Sequence, residues 1–181
     1  MMRKILAAVL MVTMMCGVSF AEGKTLVAYF SWGGTTKALA ENIAEAGGFD
    51  IFRIRPAKEY TKDYDTVIDV AKKEQNRRAR PKLAENVQDF GGYDTVFLGW
   101  PCWWGDMPMV VFTFLETNDF SGKRIIPFTT HGGSSWGRSL TSLKKEAPSA
   151  KIESNGLSVG GSASKSQVEK WLEGLGFSVK R

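Results

Sequence analysis

The chain has 181 residues, with 24 basic and 19 acidic side chains and a formal net charge of +5. Its basic residues form no run dense enough for a nucleic-acid surface, and two cysteines are too few for a disulfide scaffold. The length suits one domain with a sizeable core.

Residues 1–21 read as a signal peptide. Arg3 and Lys4 form a positive start, Ile5 to Val12 is apolar, and Ser19-Phe20-Ala21 is a small-x-small cleavage site. The apolar run is too short for a membrane span, so no stable membrane insertion is expected once it is removed. Cys16 raises a lipoprotein variant, but Thr13-Met14-Met15 lacks the small residues a lipid-attachment box prefers, and cleavage after Ala21 is favoured. The expected destination is outside the cytoplasm: periplasm, cell surface or medium. Residues 22–181 then form the domain, and losing Arg3 and Lys4 lowers the formal charge from +5 to +3. Cys102 is its one cysteine, so no internal disulfide is expected.

Leu26 to Phe30 is a continuous apolar run, the pattern of a strand buried on both faces. It breaks into Ser31-Trp32-Gly33-Gly34-Thr35-Thr36, after which Leu39, Ile43 and Ala44 recur at helical spacing. Strand, glycine-hydroxyl loop and helix present backbone N–H groups to an anion. There is no Walker lysine and no G-x-G-x-x-G, so the loop points to a monophosphate; a plain hairpin or structural turn is the alternative. Phe49 to Ile54 alternates and reads as a second strand at the sheet edge. Lys58 to Leu83 holds a helix with Val67, Ile68, Val70 and Ala71 on one face, expected to stop at Pro81 in a solvated cluster of Arg77, Arg78, Arg80 and Lys82.

Asp94 to Trp100 is a third buried strand, running into Pro101-Cys102-Trp103-Trp104-Gly105, with Pro108 opening the next helix. Arg124 to Phe128 is a fourth strand, ending at Thr130-His131-Gly132-Gly133-Ser134. A helix over Leu140 to Lys145, a fifth strand over Gly156 to Val159 and a helix over Ser166 to Leu175 complete the chain. This alternation predicts an α/β domain, doubly wound, with helices on both faces of a parallel sheet and three loops meeting at its carboxyl edge. Hydroxyls and glycines in the first loop suit a phosphate. Adjacent tryptophans in the second suit a flat aromatic ring, and paired glycines in the third let amides approach a ring edge. Together these describe flavin mononucleotide, FMN.

In these three motifs the chain resembles the flavodoxin family over nearly all of residues 22–181. Ser31 to Thr36 looks like the family's phosphate loop, Gly99 to Gly105 is similar to the G-x-P-x-W-W-G loop of a short-chain bacterial branch, and Thr130 to Ser134 looks like the T-S-G-G-S loop. The resemblance implies a five-stranded parallel sheet in order 2-1-3-4-5, non-covalent FMN, and electron carriage between redox partner proteins. It implies cofactor contacts from Ser31, Trp32, Gly33, Gly34, Thr35 and Thr36, from Pro101, Cys102, Trp103, Trp104 and Gly105, and from Thr130, His131, Gly132, Gly133 and Ser134. Trp103 or Trp104 would stack on the ring, with the other packed inward. Departures are Gly33 in place of a usual Thr, His131 in place of Ser, a basic rather than acidic balance, and a leader. His131 either tunes the ring or caps a turn, the latter slightly favoured. Lys37 and Arg138 beside the loops, against Asp106, imply a less negative reduction potential than an acidic carrier shows. Two alternatives stay open: an FMN-dependent NAD(P)H:quinone oxidoreductase on this scaffold, and a flavin-free binding module.

Overall fold

The computed structural model describes residues 23–180; the expected leader and Cys16 lie outside that range. Strand β1 (Lys24–Tyr29) leads through the first loop to helix α1 (Thr35–Gly47), then strand β2 (Asp50–Arg53) and helix α2 (Tyr64–Arg77). Strand β3 (Tyr93–Pro101), helix α3 (Met109–Thr117), strand β4 (Arg124–Thr130) and helix α4 (Ser139–Glu146) follow. Short strands β5 (Lys151–Ile152) and β6 (Leu157–Val159) and helix α5 (Lys165–Gly174) close the chain.

The sheet order is β2-β1-β3-β4-β5, all parallel, as expected. The fifth position is shared, however. β5 pairs with the start of β4 at Arg124 and Ile125, and β6 with its end at Phe128 to Thr130. The expected strand at 156–159 is thus the second half of an interrupted one. β4 also runs two residues further than its apolar pattern, through Thr129 and Thr130.

The apolar runs are continuous because alternate side chains serve two cores. Leu26, Ala28 and Phe30 join Val96, Leu98 and Trp100 beneath α3 and α4, where Val110, Phe114 and Leu143 are buried. Val27 and Tyr29 join Phe97, Ile126 and Phe128 beneath α1 and α5, where Leu39, Ile43, Val168 and Leu172 are buried. At roughly 1.5–3 kcal/mol for each fully buried large apolar side chain, these two layers supply the main driving force for folding.

Helix α2 starts where Asp63 Oδ1 accepts from Thr66 N–H at 2.8 Å. It stops at Arg77, short of Pro81, because Arg78 turns left-handed at φ 49°. The chain from Ala79 then doubles back along residues 55–57, with Ala57 N–H to Lys82 C=O at 2.7 Å and Ala84 N–H to Arg55 C=O at 2.9 Å. Arg80 is exposed, as expected, but it is also anchored. Its Nη2 lies 2.6 Å from Glu116 on α3 and 4.0 Å from Glu146 on α4. Pro108 precedes α3 as its N-cap, one position ahead of the first helical turn.

Candidate functional site

The loops after β1, β3 and β4 follow neighbouring strands and so meet at one edge of the sheet. In the first, Ser31 is buried and its Oγ accepts from Gly34 N–H at 3.2 Å. Helix α1 has no side-chain N-cap and no acid in its first turn. Its hydrogen-bond ladder begins at Ala38 N–H to Gly34 C=O, 2.9 Å, which leaves the amides of Thr35, Thr36 and Lys37 at an open, positive helix end. Thr36 and Thr130 are buried with their Oγ1 atoms 2.8 Å apart, tying the first loop to the third. Arg53 Nη2 lies 3.4 Å from Ser31 C=O, a cation beside this loop that sequence reading did not anticipate.

The second loop turns sharply. Trp103 and Asp106 exchange backbone hydrogen bonds of 2.9 and 3.0 Å around Trp104 (φ 50°) and Gly105 (φ 71°). Two consecutive left-handed residues make a type I′ turn, which glycine tolerates freely and Trp104 does not. Trp103 is half-buried, edge-on to Phe30 and Tyr60 with centroids 5.4 Å from each. Trp104 is 48% exposed; its Nε1 donates to Ile68 C=O at 2.9 Å, and Lys72 Nζ sits 4.7 Å from its ring. One tryptophan thus packs inward and the other outward. In the third loop His131 Nδ1 accepts from Gly133 N–H at 3.0 Å, the turn-capping role.

The loops enclose a groove of about 340 Å³ walled by Ser31, Trp32, Gly33, Thr35 and Thr36, by Pro101, Cys102 and Trp103, and by Thr130, His131 and Gly132. A second, apolar chamber of about 280 Å³ holds Trp104 and shares Trp32, Tyr64, Cys102 and Trp103 with the first. The result is one cleft, polar at the helix end and aromatic at the other. Gly34, Gly105, Gly133 and Ser134 belong to the loops without lining either chamber.

Sequence reading missed Tyr64 and Gly161 in the wall. Val67 and Ala71 are buried on the apolar face of α2, as expected, and with Ile68 they also wall the aromatic chamber. The two cations expected to rim the cleft are both paired, Arg138 to Asp106 at 2.7 Å and Lys37 to Glu41 at 3.6 Å, so little of their charge acts at a distance. A wider groove of about 860 Å³ runs between residues 56–61, α2 and Ala79 to Lys82. None of the three loops borders it, and the convergence of hydroxyls, helix amides and aromatic rings marks the smaller cleft as the site.

Known proteins point the same way. The flavodoxin family model matches residues 24–175. A candidate flavoprotein from Bacteroides eggerthii DSM 20697 is 35% identical with a TM-score of 0.77, covering 86% of this chain and 99% of its own. A second, from Bacteroides uniformis ATCC 8492, is 35% identical with a TM-score of 0.73, covering 83% and 98%. A flavoprotein from Lactobacillus acidophilus NCFM, solved in complex with FMN, is 23% identical with a TM-score of 0.67, covering 82% and 98%. A search of curated proteins finds no match. With the fold, the three loops and a family match spanning nearly all of the described residues, this chain belongs to the flavodoxin family.

Proposed function

We propose that this protein binds FMN non-covalently and carries electrons between redox partner proteins outside the cytoplasm, after its leader is removed. The observation that carries the reading is the two-ended cleft. Its helix end offers hydroxyls of Ser31, Thr36 and Thr130 and the open amides of α1, with no carboxylate in the first turn to repel a phosphate. Cβ atoms added at Gly33 or Gly132 would meet nothing within 4 Å, so space remains beside those hydroxyls. Family membership and the FMN complex of the Lactobacillus relative support the same cofactor.

Bound FMN would supply the redox chemistry. The chain's own residues bind and exclude water. Thr35, Thr36 and the helix end hold the phosphate, Trp32, Trp103, Trp104 and Tyr64 form the apolar wall for the ring, and His131 keeps the third loop in its turn. No residue in the wall is paired as a nucleophile with a base, which favours a carrier over a hydrolytic or acyl-transfer enzyme. Among the described residues no helix is long and apolar enough to cross a membrane.

Titrating the apoprotein with FMN and riboflavin, followed by flavin fluorescence, tests the reading. FMN should bind more tightly than riboflavin, and equal affinities would remove the phosphate from the argument. Steady-state oxidation of NADH or NADPH with a quinone would replace carrier by oxidoreductase. A mature mass lacking residues 1–21 in the exported fraction checks the location.

A further inference from the structure

The second and third loops are joined by residues that line neither chamber of the cleft. Asp106 ends the Trp103–Asp106 turn and is 5% exposed. Its carboxylate is fully engaged. Oδ1 accepts from Met107 N–H at 2.8 Å, while Oδ2 accepts from Arg138 Nε at 2.7 Å and Ser142 Oγ at 2.9 Å. Arg138 N–H also donates to Gly105 C=O at 2.8 Å. The backbones touch here: a Cβ at Gly137 would lie 2.3 Å from the Gly105 carbonyl oxygen.

Trp104 at φ 50° holds a conformation that disfavours non-glycine residues, so the turn needs outside restraint to keep it. A buried carboxylate is costly unless paired, so the Asp106–Arg138 contact strongly prefers this one arrangement. We propose that Asp106 and Arg138 form a positioning clasp. It fixes the Trp103–Gly105 turn against the third loop and thereby sets the aromatic end of the cofactor cleft, without either residue touching the cofactor. The clasp rests on the FMN reading above. It acts on the ring end alone, because the phosphate end is set by the first loop and the Thr36–Thr130 pair.

Arg138 is the residue to change, since its side chain is 59% exposed and Asp106 keeps two of its three donors without it. Arg138→Met should weaken FMN and riboflavin by the same factor, about tenfold, or about 1.4 kcal/mol. It should also alter the visible circular dichroism of the bound flavin. Arg138→Lys, which keeps the cation, should restore both. Three results would overturn the clasp: unchanged binding and dichroism in Arg138→Met, weakening of FMN but not riboflavin, or a lowered melting temperature with normal dichroism at full loading. Wild-type protein that binds neither flavin would refute the FMN reading instead. The near-ultraviolet dichroism of the apoprotein tryptophans would then decide the clasp: altered by Met and restored by Lys supports it, unaltered overturns it.

Discussion

Gly99 lies in β3 at the head of the tryptophan motif, directly opposite Phe128 of β4. A Cβ built there would fall 2.0 Å from Phe128 Cζ and 2.1 Å from Cε2. Carbon atoms pack best at roughly 3.5–4.0 Å, so the ring would have to move by about 1.5 Å. Phe128 is fully buried and cannot swing aside cheaply. Gly99→Ala is thus an overpacking substitution, expected to cost about 1–3 kcal/mol. At about 2–4 °C per kcal/mol for a domain of this size, thermal unfolding should shift down by about 2–12 °C. The reasoning identifies the ring as the obstacle, so Phe128→Leu should relieve the crowding. Unfolding the two single variants and the double by heat and by denaturant gives the coupling, expected to be favourable by about 0.5–3 kcal/mol. Gly91→Ala, whose Cβ would meet nothing within 4 Å, is the control. Additive single effects, or a Gly99→Ala protein that melts with the wild type, would refute the argument.

Thr36→Val removes one of two paired buried hydroxyls and strands that of Thr130, costing about 1–3 kcal/mol of stability; FMN should weaken more than riboflavin, and equal losses would contradict the phosphate assignment. Trp104→Ala should weaken flavin with little change in melting temperature, whereas Trp103→Ala should lower both, because only Trp103 packs against Phe30 and Tyr60; indistinguishable melting curves would count against this split. Burial, partly opposed by the Tyr60 hydrogen bond, holds the Glu74 carboxyl above its ordinary 4.5, so the folded protein binds that proton more tightly and loses stability as pH rises from there towards neutrality. Glu74→Gln should therefore melt higher than wild type near neutral pH, with the gap closing below about pH 4; a gap of the opposite sign, or one independent of pH, would overturn it.

The sheet was legible wherever a strand is buried on both sides. Leu26 to Phe30 and Val96 to Trp100 carry uninterrupted, buried runs for that reason alone. β4 looked shorter than it is because Thr129 and Thr130 are polar; their hydroxyls are satisfied inside, on Trp100 C=O and on Thr36. Helical spacing on α2 showed an apolar face but not that Val67, Ile68 and Ala71 on it also wall a chamber of the cleft. The helix end was misplaced for a related reason: Pro81 is a strong stop signal, while the left-handed turn at Arg78 has no glycine to mark it. Of the site, the three loops were visible because each has a local motif. The Asp106–Arg138 pair spans 32 positions and has none. Reading those two residues as opposed rim charges followed from their places in the chain, and only folding makes them partners.

The split of the fifth strand has a consequence for how molecules of this protein meet one another. One lateral border of the sheet offers β2, four residues long, and the other offers runs of two and three separated at Glu153 to Gly156. Within that gap Glu153 is held by Arg124 at 2.7 Å. Stacking of chains strand upon strand into fibrils calls for segments of about six or seven residues in register. Neither border supplies a template of that length, so even with Ile51 of β2 46% exposed, crowded molecules have little purchase for lateral growth.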